Sequence, residues 1–218
     1  MRFLQTVLLG AAMFFTFSSY AQKTKIPQVN NGKKDLSKYS VATFAAGCFW
    51  HEEALFESVK GVQEAVSGYA GGNTKNPSYE SLETGNTGHA ETVNVYYDSS
   101  VITYPMLLKV YFAGQDPTSP NGQAPDFGSQ YRSILFYRNG VEKQLAENYM
   151  KQLNTSGKYK KPIAVQSVPF IKFWQAEDYH QDFIQHNPDQ GYVNAVSIPE
   201  IKKFQKEYPQ LVKKDHIY

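Results

Sequence analysis

The sequence of 218 residues contains a single cysteine, Cys48. No disulfide can therefore form within the chain, and the fold has to be held together by its hydrophobic core rather than by covalent cross-links. The chain is long enough for one good-sized core, and 41% of its residues are hydrophobic and 15% aromatic, which argues against extensive disorder. A lone cysteine that is neither buried nor used is a chemical liability, so its surroundings are the first place to look for function.

The first 21 residues have the pattern of a secretory signal peptide. Arg2 provides a positive charge, residues 3–17 are mostly apolar, and Ser19 and Ala21 are small residues at the two positions that a signal peptidase reads. We expect cleavage after Ala21 and an exported protein, either periplasmic or secreted. An uncleaved membrane anchor is the alternative, but the apolar run is shorter than the roughly 20 residues that a bilayer span needs.

The rest of the composition excludes several classes of protein. The formal net charge is +2, with no long run of one sign, so we expect neither nucleic-acid binding nor attraction to anionic lipid. No later stretch is apolar enough to span a membrane, so no stable membrane insertion is expected, and we expect a monomer. The His51-Glu52-Glu53 sequence would need a second histidine at the position of Leu55 to form a zinc-protease motif, so no metal site is predicted.

Strand and helix patterns alternate after a polar, lysine-rich arm at residues 22–39. Strands are predicted at 41–46, 62–67, 90–97, 133–137 and 163–168, and helices at 49–59, 104–112, 141–153, 175–184 and 199–208. Glycines at 68–72 predict a loop, and the irregular loop at 116–129 is long enough to be functional. We predict the α/β (α+β) class, with one catalytic domain at 40–218 whose residues 194–218 form a helical extension. The expected architecture is a two-layer sandwich, a mixed β-sheet with flanking helices and a ferredoxin-like core.

Cys48 lies where a predicted strand gives way to a predicted helix. The free backbone N–H groups and the dipole at a helix start favour negative charge, which predicts a lowered thiol pKa and a nucleophilic thiolate. The alternative is a buried structural thiol, because free cysteine is among the most buried residue types. Phe49 and Trp50 follow directly and could either line an apolar pocket that accepts a sulfur group or simply pack in the core.

The segment Gly47-Cys48-Phe49-Trp50 resembles the active-site signature of the peptide methionine sulfoxide reductase A family. Six further blocks resemble that family in the same order along the chain: residues 68–72, 76–79, 85–91, 116–118, 126–133 and 177–181. The blocks together are a specific signal, and the resemblance covers residues 41–192. The resemblance implies a peptide-methionine (S)-S-oxide reductase, in which the Cys48 thiolate attacks the sulfoxide sulfur, becomes a sulfenic acid and releases methionine.

The resemblance also implies roles for side chains outside the cysteine signature. Glu91 is implied to be the acid that protonates the departing oxygen, Tyr79 and Tyr131 to donate their hydroxyls to that oxygen, and Asp126 to hold a water or the substrate backbone. Phe49 and Trp50 are implied to form the pocket for the methyl group.

The strand pattern supports the assignment of Glu91 independently. Glu91 shares the apolar side of its strand with Val93 and Val95, where an acid is costly unless it is paired or protonated. The alternative is that Glu91 caps the end of the strand and is solvated.

The sequence departs from the family in two places. His51 stands where a glycine is usual, and a protonated imidazole there would lower the pKa of the thiol further. Many members carry a resolving cysteine after a Gly-Tyr pair, whereas here Gly191 and Tyr192 are followed by Val193. We therefore predict no bound cofactor and regeneration by an external thiol, which is a thioredoxin-like domain, a glutaredoxin-like domain or a small thiol.

Two other functions use the same cysteine differently. A thiol peroxidase or redox sensor would direct Cys48 at peroxide and would have no need for the aromatic pair Phe49 and Trp50. A non-catalytic module that binds sulfoxides would retain the whole set of residues without using it.

Overall fold

A mixed six-stranded β-sheet organises the fold. The computed structural model describes residues 34–218, so the predicted signal peptide and most of the predicted arm lie outside the described residues. The strands in chain order are β1 (Ser40–Ala45), β2 (Val62–Ala70), β3 (Ala90–Tyr97), β4 (Gly122–Gln123), β5 (Asp126–Phe127), β6 (Ile134–Tyr137), β7 (Gln166–Pro169) and β8 (Phe173–Gln175). The sheet has the strand order β7-β6-β1-β3-β2-β8, and β4 and β5 form a separate small hairpin.

Six α-helices accompany the sheet in the described residues: α1 (Phe49–Glu57), α2 (Tyr79–Glu83), α3 (Tyr104–Ala113), α4 (Gly140–Thr155), α5 (Phe183–His186) and α6 (Ile198–Glu207). Side chains fix two of the helix starts. Ser78 and Ser81 cap each other at the start of α2, and the Asn139 side chain accepts the Glu142 N–H at 2.9 Å at the start of α4. Within residues 34–218, no helix is long and apolar enough to cross a bilayer.

The central strands and two helices form a ferredoxin-like core, as predicted. The elements β1, α1, β2, β3, α3 and β6 follow one another in the sequence, and their strands lie in the order β6-β1-β3-β2 with antiparallel neighbours. β7 pairs in parallel with β6 and makes the sheet mixed. The predicted two-layer sandwich of a mixed sheet and flanking helices is thereby confirmed.

The main core lies between the sheet and its helices. Alternation along β1 directs Ala42 and Phe44 into this core, where the Phe44 ring stacks on Phe56 at 5.2 Å between centroids. The opposite face of the sheet is also buried at β1 and β3. There Thr43 accepts a hydrogen bond from Arg138 at 2.7 Å and donates one to Asn94 at 2.6 Å. β3 is therefore buried on both sides, and its polar side chains contact protein rather than water.

Three segments differ from the sequence prediction, and each contains a strand pairing that the local sequence pattern did not show. The predicted glycine loop begins three residues too early, since β2 continues to Ala70 between β3 and β8. The predicted helix at 175–184 is instead the end of β8, a 3-10 turn at Asp178–His180 and the short helix α5. The long loop at 116–129 contains the hairpin β4–β5, which no alternating pattern announced.

α1 carries a buried acid whose environment makes a prediction about stability. Glu52 is 1% exposed, and neither of its carboxylate oxygens has a hydrogen-bond partner among the residues that the structure describes. Burial, with a smaller contribution from Glu200, raises the pKa of Glu52 well above its ordinary value of 4.5. The folded state therefore keeps a proton that the unfolded chain releases. The stability from this group is fully present below about pH 4.5 and is lost as the pH rises through the folded-state pKa.

We expect Glu52→Met to stabilise the protein at pH 8 by about 1–3 kcal/mol, because an apolar side chain of similar shape has no charge to bury. The gain should shrink towards pH 5. Chemical unfolding of both proteins at the two pH values measures it, with Glu80→Met, at an exposed position on α2, as the control that leaves the pH dependence unchanged. Loss of stability at both pH values would show that Glu52 has a favourable partner.

Candidate active site

The turn between β1 and α1 places Cys48 at the N-cap of α1, directly before the first helical residue. Gly47 has a φ of +78°, and a side chain at this position would lie 2.8 Å from the Gln123 side chain, so only glycine fits. The Gly47 N–H donates to the Tyr131 carbonyl at 3.1 Å, which fixes the turn against the loop that follows β5. Cys48 itself is partly exposed and is the free thiol of the chain.

The environment of the thiol corrects one prediction. Burial, and then the negative charge of Glu91, raises the pKa of Cys48 well above its ordinary value. The backbone N–H groups of Trp50 and His51 act in the predicted direction and lower the pKa, but burial outweighs them. The expectation of a lowered thiol pKa from helix position alone was therefore wrong for the free site.

Glu91 takes the place at the helix start that the thiolate was expected to occupy. Its carboxylate accepts the Phe49 N–H, the first of α1, at 2.8 Å. The side chain is 2% exposed, so the alternative of a solvated strand cap is excluded. Burial raises the pKa of Glu91 well above 4.5 despite that hydrogen bond, which favours the neutral, protonated acid.

The rings of Phe49 and Trp50 lie in an aromatic cluster with rings from α2 and α5. Phe49 is 1% exposed, and its ring lies 6.5 Å from the Tyr79 ring at an interplanar angle of 18°. Trp50 is half-buried and stacks on Phe183 of α5 at 3.7 Å between centroids. Phe49 is therefore part of the core, whereas Trp50 is partly exposed beside Cys48.

The two tyrosines and Asp126 come from separate loops and meet around the same centre. Tyr131 donates its hydroxyl to Glu83 at 3.2 Å. Burial, and then the charge of Glu91, raises the pKa of both Tyr79 and Tyr131, so both hydroxyls are neutral donors near that acid. Asp126, on β5, accepts a hydrogen bond from a tyrosine hydroxyl of the C-terminal segment. All seven predicted site residues are thus brought together at one end of the sheet.

Comparisons with known proteins agree with this arrangement. The family model described as peptide methionine sulfoxide reductase matches residues 40–212, which include every residue named for the site. The chain belongs to the peptide methionine sulfoxide reductase family. The peptide methionine sulfoxide reductase MsrA of Sulfolobus acidocaldarius is 46% identical over 169 residues, which are 78% of this chain and 95% of that relative.

Solved structures of the family share the fold. The structure of Mxr1 from Saccharomyces cerevisiae in its reduced form has a TM-score of 0.66 and 33% identity, and the match covers 72% of this chain and 91% of that one. Methionine sulfoxide reductase A of Corynebacterium diphtheriae has a TM-score of 0.61 and 32% identity, over 68% of this chain and 74% of that one.

The reductase site contains a third tyrosine that sequence reasoning missed. The Tyr192 hydroxyl donates to the Asp126 carboxylate and also lies within hydrogen-bond reach of the Cys48 sulfur. Its ring meets Trp50 edge-on, with centroids 6.3 Å apart. In the sequence, the Gly191-Tyr192 pair stands out only because no cysteine follows it. Val193, in that place, is fully buried.

His180 is a second site residue that had no assigned role. Its Nδ1 accepts a hydrogen bond from the Trp50 indole N–H at 3.0 Å, and its ring lies 4.9 Å from Phe49 and 4.6 Å from Tyr79. Burial lowers the pKa of His180 to about 4, so the ring is neutral. The signal was available, because residues 177–181 formed one of the family blocks.

His51 does not tune the thiol in the predicted way. The side chain is buried, and its Nε2 lies 3.2 Å from the Gly114 carbonyl, on the side of α1 that faces the end of α3. Burial lowers the pKa of His51 to about 4. The ring is therefore neutral at physiological pH, and the proposed effect of a protonated imidazole on Cys48 was wrong.

Three acidic side chains, two on α1 and one directly before α5, have the spacing of metal ligands. Within residues 34–218, Glu53, Glu57 and Asp182 are the only such group, with ligand atoms within 4.8 Å of one another. Burial raises the pKa of Glu53 to about 9 and of Glu57 to about 8, which favours protons over ionised ligands. The Glu53 carboxyl accepts the Asp182 N–H, and this contact holds the segment that carries Phe183 against α1.

Proposed function

We propose that the protein reduces methionine (S)-sulfoxide, free or in proteins, to methionine. The observation that carries this proposal is the buried neutral acid Glu91, hydrogen-bonded to the Phe49 N–H directly beside Cys48. A sulfoxide oxygen leaves only when it is protonated, and a carboxylic acid that burial keeps neutral is a suitable donor. This reaction requires a nucleophile, an acid and an apolar surface for the methyl group at one place.

The first half of the reaction moves oxygen from the substrate to the enzyme. The Cys48 sulfur attacks the sulfoxide sulfur while Glu91 gives its proton to the sulfoxide oxygen. The hydroxyl group formed on the substrate then passes to the Cys48 sulfur, while the substrate's sulfur–oxygen bond and the new sulfur–sulfur bond both break. Methionine is released and Cys48 is left as a sulfenic acid. The substrate sulfur is reduced by two electrons and the cysteine sulfur is oxidised by two. The cysteine's own proton returns to Glu91, so no proton is gained or lost overall.

The neighbouring side chains bind the substrate in this scheme. Phe49 and Trp50 accept the methyl group on their apolar surfaces. The Tyr79 and Tyr131 hydroxyls donate to the sulfoxide oxygen, and their raised pKa values keep them protonated for that purpose. Asp126, held by the Tyr192 hydroxyl, is placed to bind the polar part of the substrate.

The raised pKa of Cys48 fits a thiolate that forms only with substrate in place. Partial transfer of the Glu91 proton to the sulfoxide oxygen puts positive charge on the substrate next to the cysteine sulfur. That charge, together with the Trp50 and His51 N–H groups, stabilises the thiolate at the moment of attack. A thiol that is neutral in the free site is also protected from unwanted oxidation.

An external thiol completes the cycle in this proposal. Its sulfur attacks the Cys48 sulfenic acid, water leaves and a mixed disulfide forms; a second thiol then releases Cys48 and takes the disulfide. The reductant is a thioredoxin-like or glutaredoxin-like domain or a small thiol, because Val193 stands where a resolving cysteine would be and the chain has only one cysteine. The signal-peptide pattern supports action outside the cytoplasm, as repair of oxidised exported proteins.

Replacement of Trp50 separates this function from a thiol peroxidase that uses the same cysteine. We expect Trp50→Ala to lower kcat/KM for methionine (S)-sulfoxide by about 10- to 200-fold, because the methyl group loses one wall of its pocket. The rate at which hydrogen peroxide oxidises Cys48 should stay within about twofold, because peroxide makes no use of the wall. Trp50→Phe serves as the control and should retain most of the sulfoxide activity. Wild-type peroxide turnover that exceeds sulfoxide turnover would favour the peroxidase.

A further inference from the structure

Glu177 links two elements that carry aromatic residues of the reductase site. It is the residue before the 3-10 turn Asp178–His180, and its two carboxylate oxygens have different partners. One accepts the Tyr69 hydroxyl at 2.7 Å, and the other accepts the Tyr79 backbone N–H at 3.0 Å. The carboxylate therefore links β2 to the first residue of α2, whose ring and hydroxyl belong to the reductase site.

The same carboxylate faces His180. An indole N–H can only donate a hydrogen bond, so the His180 Nδ1 that meets Trp50 must be the unprotonated nitrogen. In the neutral ring the proton is then on Nε2. That nitrogen is buried, has no hydrogen-bond partner among the described residues, and lies 3.9 Å from the Glu177 carboxylate. The negative charge favours the tautomer with its proton on this side, which leaves Nδ1 free to accept from Trp50.

We propose that Glu177 is a positioning residue for sulfoxide reduction, which holds Tyr79 directly and orients Trp50 through the tautomer of His180. The proposal deepens the reductase function argued above and rests on it. Glu177 touches neither Cys48 nor the acid Glu91, so its effect is on where the substrate sits and not on the reacting atoms. Both walls of the pocket thus depend on one carboxylate.

The ionisation of Glu177 is consistent with this role. Partial burial raises its pKa, but the hydrogen bonds from the Tyr69 hydroxyl and the Tyr79 N–H outweigh burial and lower the pKa below its ordinary value. The group facing His180 is therefore a carboxylate throughout the physiological range. Asp178, Tyr179 and Asp182 are the titratable groups nearest to Glu177 and His180 in sequence, and the Trp50 indole N–H donates to His180 rather than to any of them.

Two variants separate the hydrogen bonds from the charge. Glu177→Gln keeps an oxygen for the Tyr79 N–H and a polar group for Tyr69, and it removes only the charge opposite His180. Glu177→Ala removes all three interactions. Asp178→Ala, an exposed acid in the same turn, is the matched control.

We expect Glu177→Ala to lower kcat/KM for methionine (S)-sulfoxide by about 10- to 100-fold, and Glu177→Gln by less, with most of the change in KM. Alkylation of Cys48 by iodoacetamide should stay within about twofold of wild type in both, because neither variant changes Glu91 or the backbone N–H groups of Trp50 and His51 that act on the pKa of the thiol. The Asp178→Ala variant should match wild type in each assay.

Nuclear magnetic resonance supplies a measurement that does not depend on activity. The ¹⁵N shifts of His180 should report a proton on Nε2 in wild type and a mixture of tautomers in Glu177→Gln, with a shifted Trp50 indole N–H signal. An unchanged tautomer, an unchanged indole signal and wild-type kcat/KM in Glu177→Gln would overturn the proposal. Absence of sulfoxide turnover in wild type, with the tautomer behaving as expected, would refute the reductase function and leave the positioning geometry intact.

Discussion

Cys48→Ser is expected to lower kcat/KM for methionine (S)-sulfoxide by at least about a thousandfold, because a hydroxyl is a far weaker nucleophile than a thiolate and the chain has no second thiol to replace it. Serine fits the space of the cysteine, and Cys48 is only partly buried, so the fold should be retained. Steady-state kinetics with an excess of dithiothreitol measures the loss.

The thermal unfolding midpoint and the far-ultraviolet circular dichroism spectrum serve as controls for Cys48→Ser and should match wild type. Glu91→Gln provides a comparison, since it removes the acid and keeps the nucleophile. Substantial sulfoxide reduction by Cys48→Ser would mean that the chemistry does not pass through this sulfur, and the reductase mechanism proposed here would be wrong.

Glu91→Gln is expected to lower kcat by about 10²- to 10⁴-fold, the contribution typical of a general acid, with a smaller change in KM. The amide can still accept the Phe49 N–H, so the position of the helix start should persist, but it cannot transfer a proton. Single-turnover measurements that separate binding from chemistry test this difference.

The pH profile gives Glu91→Gln a second readout. Burial raises the pKa of Glu91, so the active protonated form is present below the folded-state pKa and is lost as the pH rises through it. Wild type should therefore lose activity on the alkaline side, and Glu91→Gln should not. Because the charge of Glu91 also raises the pKa of Cys48, alkylation of the thiol should be at least as fast in the variant. Equal turnover in wild type and Glu91→Gln would exclude the acid role.

Local sequence signals were sufficient for the regular elements. Alternation predicts β3 at 90–97, and the observed strand is Ala90–Tyr97. The apolar pattern at 104–112 predicts α3, which ends one residue later, at Ala113. These elements are long and strongly patterned, so their own residues determine them. α2 was missed because five residues carry little periodicity, although Ser78 before it is a recognisable helix cap.

Pairings between distant residues were not predictable from local signals. A helix was predicted to begin at Gln175, yet this residue ends β8, the strand Phe173–Gln175, because the edge of β2 pairs with it. The site shows the same limit. The helix start predicted a lowered pKa for Cys48, but the sequence did not show that folding withdraws the half-buried sulfur from water enough to raise its pKa. Tyr192 reaches Asp126 only through the tertiary fold.

The sequence predicted which residues form the site better than it predicted their pKa values and contacts. The family blocks supplied Tyr79, Asp126 and Tyr131, which composition would not have distinguished among 16 tyrosines and 20 acids. Burial of Glu91 was also predictable, because it shares a strand face with valines. Glu177 and His180 lay within a matched block, but their role depends on contacts with Trp50 and Tyr79 that no spacing reveals.

A single turnover without reductant tests the central claim most directly. Reduced protein is mixed with methionine (S)-sulfoxide, the methionine formed is quantified, and the intact chain is weighed by mass spectrometry. We predict one methionine per chain and one added oxygen on Cys48, which a thiol then removes. Formation of no methionine, or accumulation of a dimer joined through Cys48 as the main product, would contradict the account.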